Sequence, residues 1–365
     1  MSKKQKNTLG SEWQFTLCAY PRDDQYCNQF YMALEKYNVM AFKGELGFRW
    51  ILKNKHNFNA LHFHWPSFYY GGVRIISIFK FYLFLTFAKM LGKKILWTVH
   101  NLYPHHIIHV KKLDYLCRIL MVFFSDLLFV HGITSKETLL KEFPLVRNKK
   151  ICIIEHGNYL ERYPNKVTAA EAKKKLGISS SDFVYLSFGK ANPYKGLEDL
   201  IKAYKLVTDG KDKLIIAGRF PNKNYLKKIK QKIHDMGGLS GNVKLVDRRI
   251  EDDEIQIFLN AADIMVLPYK YKSVLTSGIA LFALSFGLAI VAPRIGYFND
   301  LICDNGLGVL YEKSSSISEL CDSMRMVKKM SFDRDAIIEH VKRYDWDIIG
   351  QKAYDCLREH FWSDV

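Results

Sequence analysis

Short apolar runs alternate with longer stretches of helical period along the whole chain. The runs at Phe15–Ala19, Ala60–His64, Ile95–His100, Leu127–His131 and Ile151–Glu155 have the length and the β-branched and aromatic content of buried strands. Helical patterns lie near Asn28–Tyr37, Val73–Leu91, Leu113–Phe124 and Ser135–Phe143. A second series opens after the polar stretch Asn165–Ala170, with strands expected at Val184–Gly189, Lys213–Gly218, Val243–Val246, Ile264–Pro268 and Leu288–Ala292. Strand and helix in regular alternation predict an α/β protein, because parallel strands need a crossover between them. Two such series predict two Rossmann-like, doubly wound parallel-sheet domains facing a cleft, with ligands outside the carboxyl ends of the strands. The expected bounds are residues 1–165 and 166–344, followed by a C-terminal helix at 345–365. In that helix Trp346, Ile349, Ala353, Tyr354, Leu357 and Phe361 fall near one face, and it either crosses back to the first domain or stays on the second.

One uncharged stretch, Ser273–Pro293, is long enough to span a bilayer. Its hydroxyl residues and glycines, and the LAIVAP run that closes it, instead predict a helix ended by Gly287 and then a buried strand.

Composition is that of a globular chain: of 365 residues, 48% are hydrophobic and 25% charged, which excludes a disordered or collagen-like protein. Seven scattered cysteines without a CxxC predict neither a disulfide framework nor a zinc site. The basic start, MSKKQKNTLG, lacks the apolar core of a signal peptide. The net charge is +17, and residues 1–165 hold 23 Lys and Arg against 11 Asp and Glu. From Leu46 to Leu113 there are ten bases and no acid. Such a field draws nucleic acid, anionic lipid or a phosphorylated substrate.

Five blocks carry candidate chemistry. In Ser187–Gly196, Gly189 permits a sharp turn after a strand, while Lys190 and Lys195 place cations where phosphate is favoured; a solvated lysine loop explains the block equally well. In Leu267–Gly278, small residues at a helix start leave N–H groups free for a diphosphate, or Thr276 or Ser277 simply caps the helix. In the first half, Leu61–Pro66, Trp97–His106 and Ile154–Asn158 end strands in histidines. His62 and His64 share a face without supplying further ligands, so no metal is expected.

Taken in order, HFHWP, WTVHNLYPHH, IIEHGNYLERYPN, FGKANPYKGLEDLIKAY, LIIAGR, AADIMVLPY and TSGIALFALSFGLAIVAPRIG resemble the GT-B fold glycosyltransferases of family 4, in particular the bacterial exopolysaccharide, capsule and O-antigen branch. The resemblance runs over nearly the whole chain. It implies a retaining transfer of a hexose from a GDP- or UDP-linked sugar, without metal or other cofactor, to a polyprenyl-diphosphate-linked or other lipid-linked glycan. It implies catalytic roles for His100, Lys190 and Lys195, and donor contacts at Gly189, Asn192, Arg219, Tyr269, Thr276, Ser277 and Gly278. Acceptor-side residues would be His64, Asn101, His105 and His156. Lys190 and Asn192 stand where the family has arginines, and Val274 and Phe282 stand at the family's paired glutamates. The last departure leaves a catalytically inactive binding protein as the rival reading. The apolar face of the stretch Arg74–Lys94 fits an ordinary buried helix against the sheet or docking on an anionic cytoplasmic membrane face, the missing acids favour docking, and the absence of nucleic-acid-binding motifs argues against that partner.

Overall fold

The computed structural model describes residues 14–70, 75–104, 111–270, 274–302 and 305–362. The chain separates into two compact units, Met1–Gly157 with Ser273–Thr276 and Tyr344–Val365, and Asn158–Lys272 with Ser277–Arg343.

The first unit is built on β1 (Phe15–Tyr20), β2 (Val39–Lys43), β3 (Ala60–Phe63), β4 (Lys94–Thr98), β5 (Leu127–Val130) and β6 (Lys150–Ile153), in the order β2-β1-β3-β4-β5-β6. Every pairing is parallel. The strand order reverses between β1 and β3, which makes their carboxyl ends the natural ligand edge of this sheet. The second unit holds β7 (Val184–Phe188), β8 (Lys213–Ala217), β9 (Val243–Val246), β10 (Ile264–Val266), β11 (Ile290–Pro293) and β12 (Gly308–Tyr311), in the order β12-β11-β10-β7-β8-β9. Again all pairings are parallel, and here the order reverses between β7 and β10.

Two strands escaped the hydrophobic pattern, β2 and β12, and both are sheet edges. A central strand such as β1 or β7 is buried at every position and reads as a continuous apolar run. On β2 only Val39 and Ala41 are buried, and β12 begins with three half-buried residues. The stretch long enough to cross a bilayer folds as the helix Gly278–Leu284, a turn through Gly287 and strand β11. Among the described residues no helix is long and apolar enough to cross a membrane.

The C-terminal helix, Trp346–Phe361, packs in the first unit against the helix Gln25–Glu35. Ile349, Ala353 and Leu357 join the same buried cluster as Phe30 and Leu34. Asp345 caps it, accepting from the Asp347 N–H at 2.8 Å. At Gly350 the helices touch: an added Cβ would lie 2.7 Å from the Ala33 Cβ. Gly350→Ala should therefore force the pair apart and cost about 1–3 kcal/mol, read as a lower denaturation midpoint. An unchanged midpoint would mean that this contact is loose.

Candidate functional site

In the second unit the candidate residues gather at the carboxyl ends of β7, β8 and β10, on either side of the strand-order reversal. After β7 the chain turns through Gly189 and Lys190 into a single 3-10 turn, Pro193–Lys195, with Asn192 as its N-cap. Gly196 follows at φ +71°, where any Cβ would lie 2.0 Å from the Pro268 carbonyl oxygen. Only glycine lets the two strand ends approach this closely. The Lys270 N–H donates to the Tyr194 carbonyl at 2.8 Å and fastens the same two loops.

That approach buries Lys195, which is 5% exposed. Its ammonium donates to the Phe188 carbonyl at 3.2 Å, and no carboxylate pairs with it among the described residues. Burial, with a smaller contribution from the neighbouring Lys190 charge, lowers its pKa to about 8. Lys190 and Arg219 are exposed, and neither makes an ion pair among the described residues. The Arg219 carbonyl accepts from the Ala191 N–H at 2.9 Å, joining the ends of β7 and β8. Tyr269 is buried against the rings of Tyr194 and Phe298, and its hydroxyl lies 3.2 Å from the Ser277 Oγ. Ser277 thus spends its hydroxyl on Tyr269 and makes no side-chain cap for the helix beginning at Gly278.

Phe282 packs on Tyr159, Tyr163, Phe188 and Phe286, so the second position of the missing glutamate pair belongs to an aromatic core. Val274, the first position, is buried in the first unit and forms an antiparallel bridge with Asn101. Leu275 is held by its carbonyl, which accepts from the Ser135 hydroxyl at 2.8 Å. The neighbouring Thr276 Oγ1 is buried without a hydrogen-bond partner among the described residues.

The first unit gathers histidines. His64, His100, His131 and His156 follow β3, β4, β5 and β6, and His62 lies on β3 itself. All five are buried. The Tyr31 hydroxyl, from the helix Gln25–Glu35, lies 2.9 Å from His62 Nδ1 and 2.8 Å from His64 Nε2. His64 Nδ1 is 3.1 Å from His100 Nε2, and His100 Nδ1 is 3.1 Å from His131 Nε2. The row ends at the Thr98 hydroxyl, 2.9 Å from His62 Nε2, and at the Ile154 carbonyl, 2.9 Å from His131 Nδ1. His156 donates from Nδ1 to the Gly157 carbonyl at 2.7 Å. His100 stacks on Trp65 with centroids 4.4 Å apart. Desolvation holds every one of these imidazoles below the usual range, to about 3 for His62 and His131 and about 4 for His156. They are neutral at pH 7.

The structure therefore brings His64 and His100 into direct contact, with His156 close by, and pairs Asn101 with Val274 rather than with the histidines. His105 lies outside the described residues. Both ring nitrogens of His100 are already bonded to other histidines. Sequence reasoning missed His131 and Tyr31. For His131 a signal was present: four successive strands run into a histidine, as LHFH, WTVH, LFVH and IIEH show when written one above the other. Tyr31, on a helix, carries no such mark. Among the described residues no group of three or more His, Cys, Asp or Glu side chains is arranged to hold a metal ion.

Residues 168–344 match the model of the glycosyl transferases group 1 family. A GDP-mannose:glycolipid 4-beta-D-mannosyltransferase of Xanthomonas campestris is 23% identical over 317 residues, covering 84% of this chain and 81% of its own. An uncharacterized glycosyltransferase of Methanocaldococcus jannaschii is 24% identical over 200 residues, 51% of this chain and 47% of its own. The chain thus spans about half the length of that relative. Among solved structures, Anabaena HepE in complex with UDP and glucose superposes with a TM-score of 0.73 at 15% identity, covering 94% of this chain and 100% of that one. The likeness establishes a GT-B fold.

Proposed function

From a chain of GT-B fold that carries a glycosyl transferases group 1 domain over residues 168–344, we propose a retaining glycosyltransferase that moves a hexose from a GDP- or UDP-linked sugar to a lipid-linked glycan. The observation that supports this best is Lys195, a buried ammonium with a carbonyl and, among the described residues, no carboxylate for company. A buried cation left unpaired is costly unless an anion arrives, and a diphosphate supplies one. Lys190 adds a second charge beside it. In the reaction the bond from the sugar C1 to the leaving phosphate oxygen breaks while the bond to the acceptor oxygen forms on the same face. The acceptor proton passes to a phosphate oxygen, so no side-chain base is required. Negative charge grows on the leaving diphosphate, and Lys195 with Lys190 stabilises it. No metal or other cofactor enters this account.

The acceptor reading rests on the first unit. The helix Ile75–Met90 is apolar on both sides, and Ile75, Ile76, Phe79, Leu83 and Met90 stay exposed on its outer side. A helix apolar all round calls for a second non-aqueous neighbour. A groove of about 420 Å³ beside it is lined by Phe48, Tyr69, Phe81 and Phe84, with Lys80 among the lining residues. Anionic lipid fits the apolar face and the acid-free sequence around it, and both support a peripheral position on the cytoplasmic membrane face. Sedimentation with anionic vesicles at low salt should carry the protein down, and Phe79→Glu with Leu83→Glu should leave it in the supernatant. Equal behaviour on neutral vesicles, or none on either, would refute the docking.

Phe282 and Val274 favour one second reading, a protein that binds nucleotide-sugar without turning it over. Incubation with a panel of UDP- and GDP-hexoses and a lipid-linked acceptor separates the two: sugar transfer supports the enzyme, whereas binding without transfer or hydrolysis supports the rival.

A further inference from the structure

The row of imidazoles in the first unit has only one arrangement of protons. The Ile154 carbonyl can only accept, so His131 carries its proton on Nδ1 and presents a bare Nε2. His100 must then donate from Nδ1 to His131 and accept at Nε2, and His64 must donate from Nδ1 to His100. The bare Nε2 of His64 takes the single proton of the Tyr31 hydroxyl. Tyr31 is left to accept from His62 Nδ1, and Thr98 donates to His62 Nε2. One backbone carbonyl thus dictates the tautomer of four histidines across three strands and a helix. Both ends are buried inside the unit, so the row conducts no proton to solvent.

Its members adjoin the two residues that grip the segment 274–276. Asn101, which bridges Val274, follows His100 directly, and Ser135, which binds the Leu275 carbonyl, lies in the first turn of the helix Ile133–Glu142, four residues after His131. We infer that the imidazole row is a positioning device: by locking the ends of β4 and β5 it fixes Val274 and Leu275, and with them the Thr276 hydroxyl, which has no partner among the described residues and which the transferase reading assigns to the donor. His64, His131 and Tyr31 are positioning residues in this scheme, and His100 acts as a link in the row. The assignment of Thr276 to the donor rests on the proposed function; the row and its grip do not.

The experiment uses the full chain with ¹⁵N-labelled histidine. At pH 7.5, long-range ¹H–¹⁵N spectra should show His62, His64, His100 and His131 with a protonated Nδ1 and a bare Nε2, the reverse of the tautomer that free neutral imidazole prefers. Any of the four found charged, or protonated on Nε2, overturns the row. Positioning is then read by amide hydrogen exchange at Asn101 and Val274 in two variants. His131→Gln keeps an amide donor for Ile154 and an acceptor for His100, and should hold protection within about twofold of the parent. His131→Phe keeps the bulk, breaks the row, and should speed exchange at both amides about tenfold or more. Equal protection in the two variants overturns the positioning role. No nucleotide is needed for either readout, so a failure here is distinct from a failure of the transferase reading. Should His131→Phe not fold, the parent spectrum and His131→Gln still decide: loss of protection in the glutamine variant counts against the scheme.

Discussion

Lys195→Met should make the ligand-free protein more stable at pH 7 while weakening its hold on a nucleoside diphosphate. The ammonium is buried at the end of β7 with a carbonyl as its partner, and burial brings its pKa from the ordinary 10.5 to about 8. The unfolded chain keeps the proton between those two values, so stability rises with pH across that window and the burial cost is fully felt below pH 8. Methionine keeps much of the methylene packing and removes the charge, which should return roughly 1–3 kcal/mol, or several degrees of melting temperature. The gain should shrink as the pH rises from 8 toward 10.5. Nucleotide affinity should fall about 10- to 100-fold, the contribution of charge-assisted hydrogen bonds to phosphate. A residue kept for structure behaves in the opposite way: its loss destabilises the fold and leaves affinity alone.

Acid should unfold the first unit steeply. His62, His64, His100, His131 and His156 are neutral when folded, and each would be charged in the unfolded chain below its ordinary pKa of 6.5. Stability is therefore complete above about pH 6.5 and is lost as the pH falls toward the buried values. Each imidazole removes up to about 1.4 kcal/mol per pH unit, and five together roughly 7 kcal/mol per unit. Domains are stable by only about 5–15 kcal/mol. The Tyr26 ring packs on His100, and among the described residues no carboxylate bonds His62, His64, His100 or His131 to offset a proton. Tryptophan fluorescence should report unfolding within about two pH units below 6.5, with uptake of several protons. His156→Gln should make the transition shallower. A first unit that stays folded at pH 4 would contradict the neutral, buried row.

Much of the fold was legible because a strand buried on both faces is apolar at every position. The four inner strands of each sheet carry that mark, apart from a leading Lys94 or Lys213; the edges β6 and β9 still show as short apolar runs, and the two missed, β2 and β12, are edges with half-buried faces. The alternation of strand and helix was enough for parallel sheets. The site was legible in part. Motif and position pointed to Lys195 and His100, yet nothing in the local sequence says that Gly196 against Pro268 buries the lysine, or that both nitrogens of His100 are spent on His64 and His131. Those facts depend on strand order, which brings residues distant in sequence to one sheet edge. Phe282 likewise read as a missing glutamate; in the folded chain it completes an aromatic cluster with Tyr159, Tyr163 and Phe188, which explains why an apolar residue is tolerated there.

On the proposed reading, Lys195 holds a buried positive charge for the diphosphate of a sugar nucleotide. Calorimetric titration of the full chain with UDP and with GDP, at pH 7 and again above pH 9, tests it most directly. An anion favours the charged form of the lysine, so one of the two nucleotides should bind at pH 7 and weaken by up to about tenfold per pH unit once the pH passes 8. Lys195→Met should show weak binding at both pH values, without that dependence. Affinity that is the same in the parent and the variant, or no binding of either nucleotide by the parent, would contradict the account.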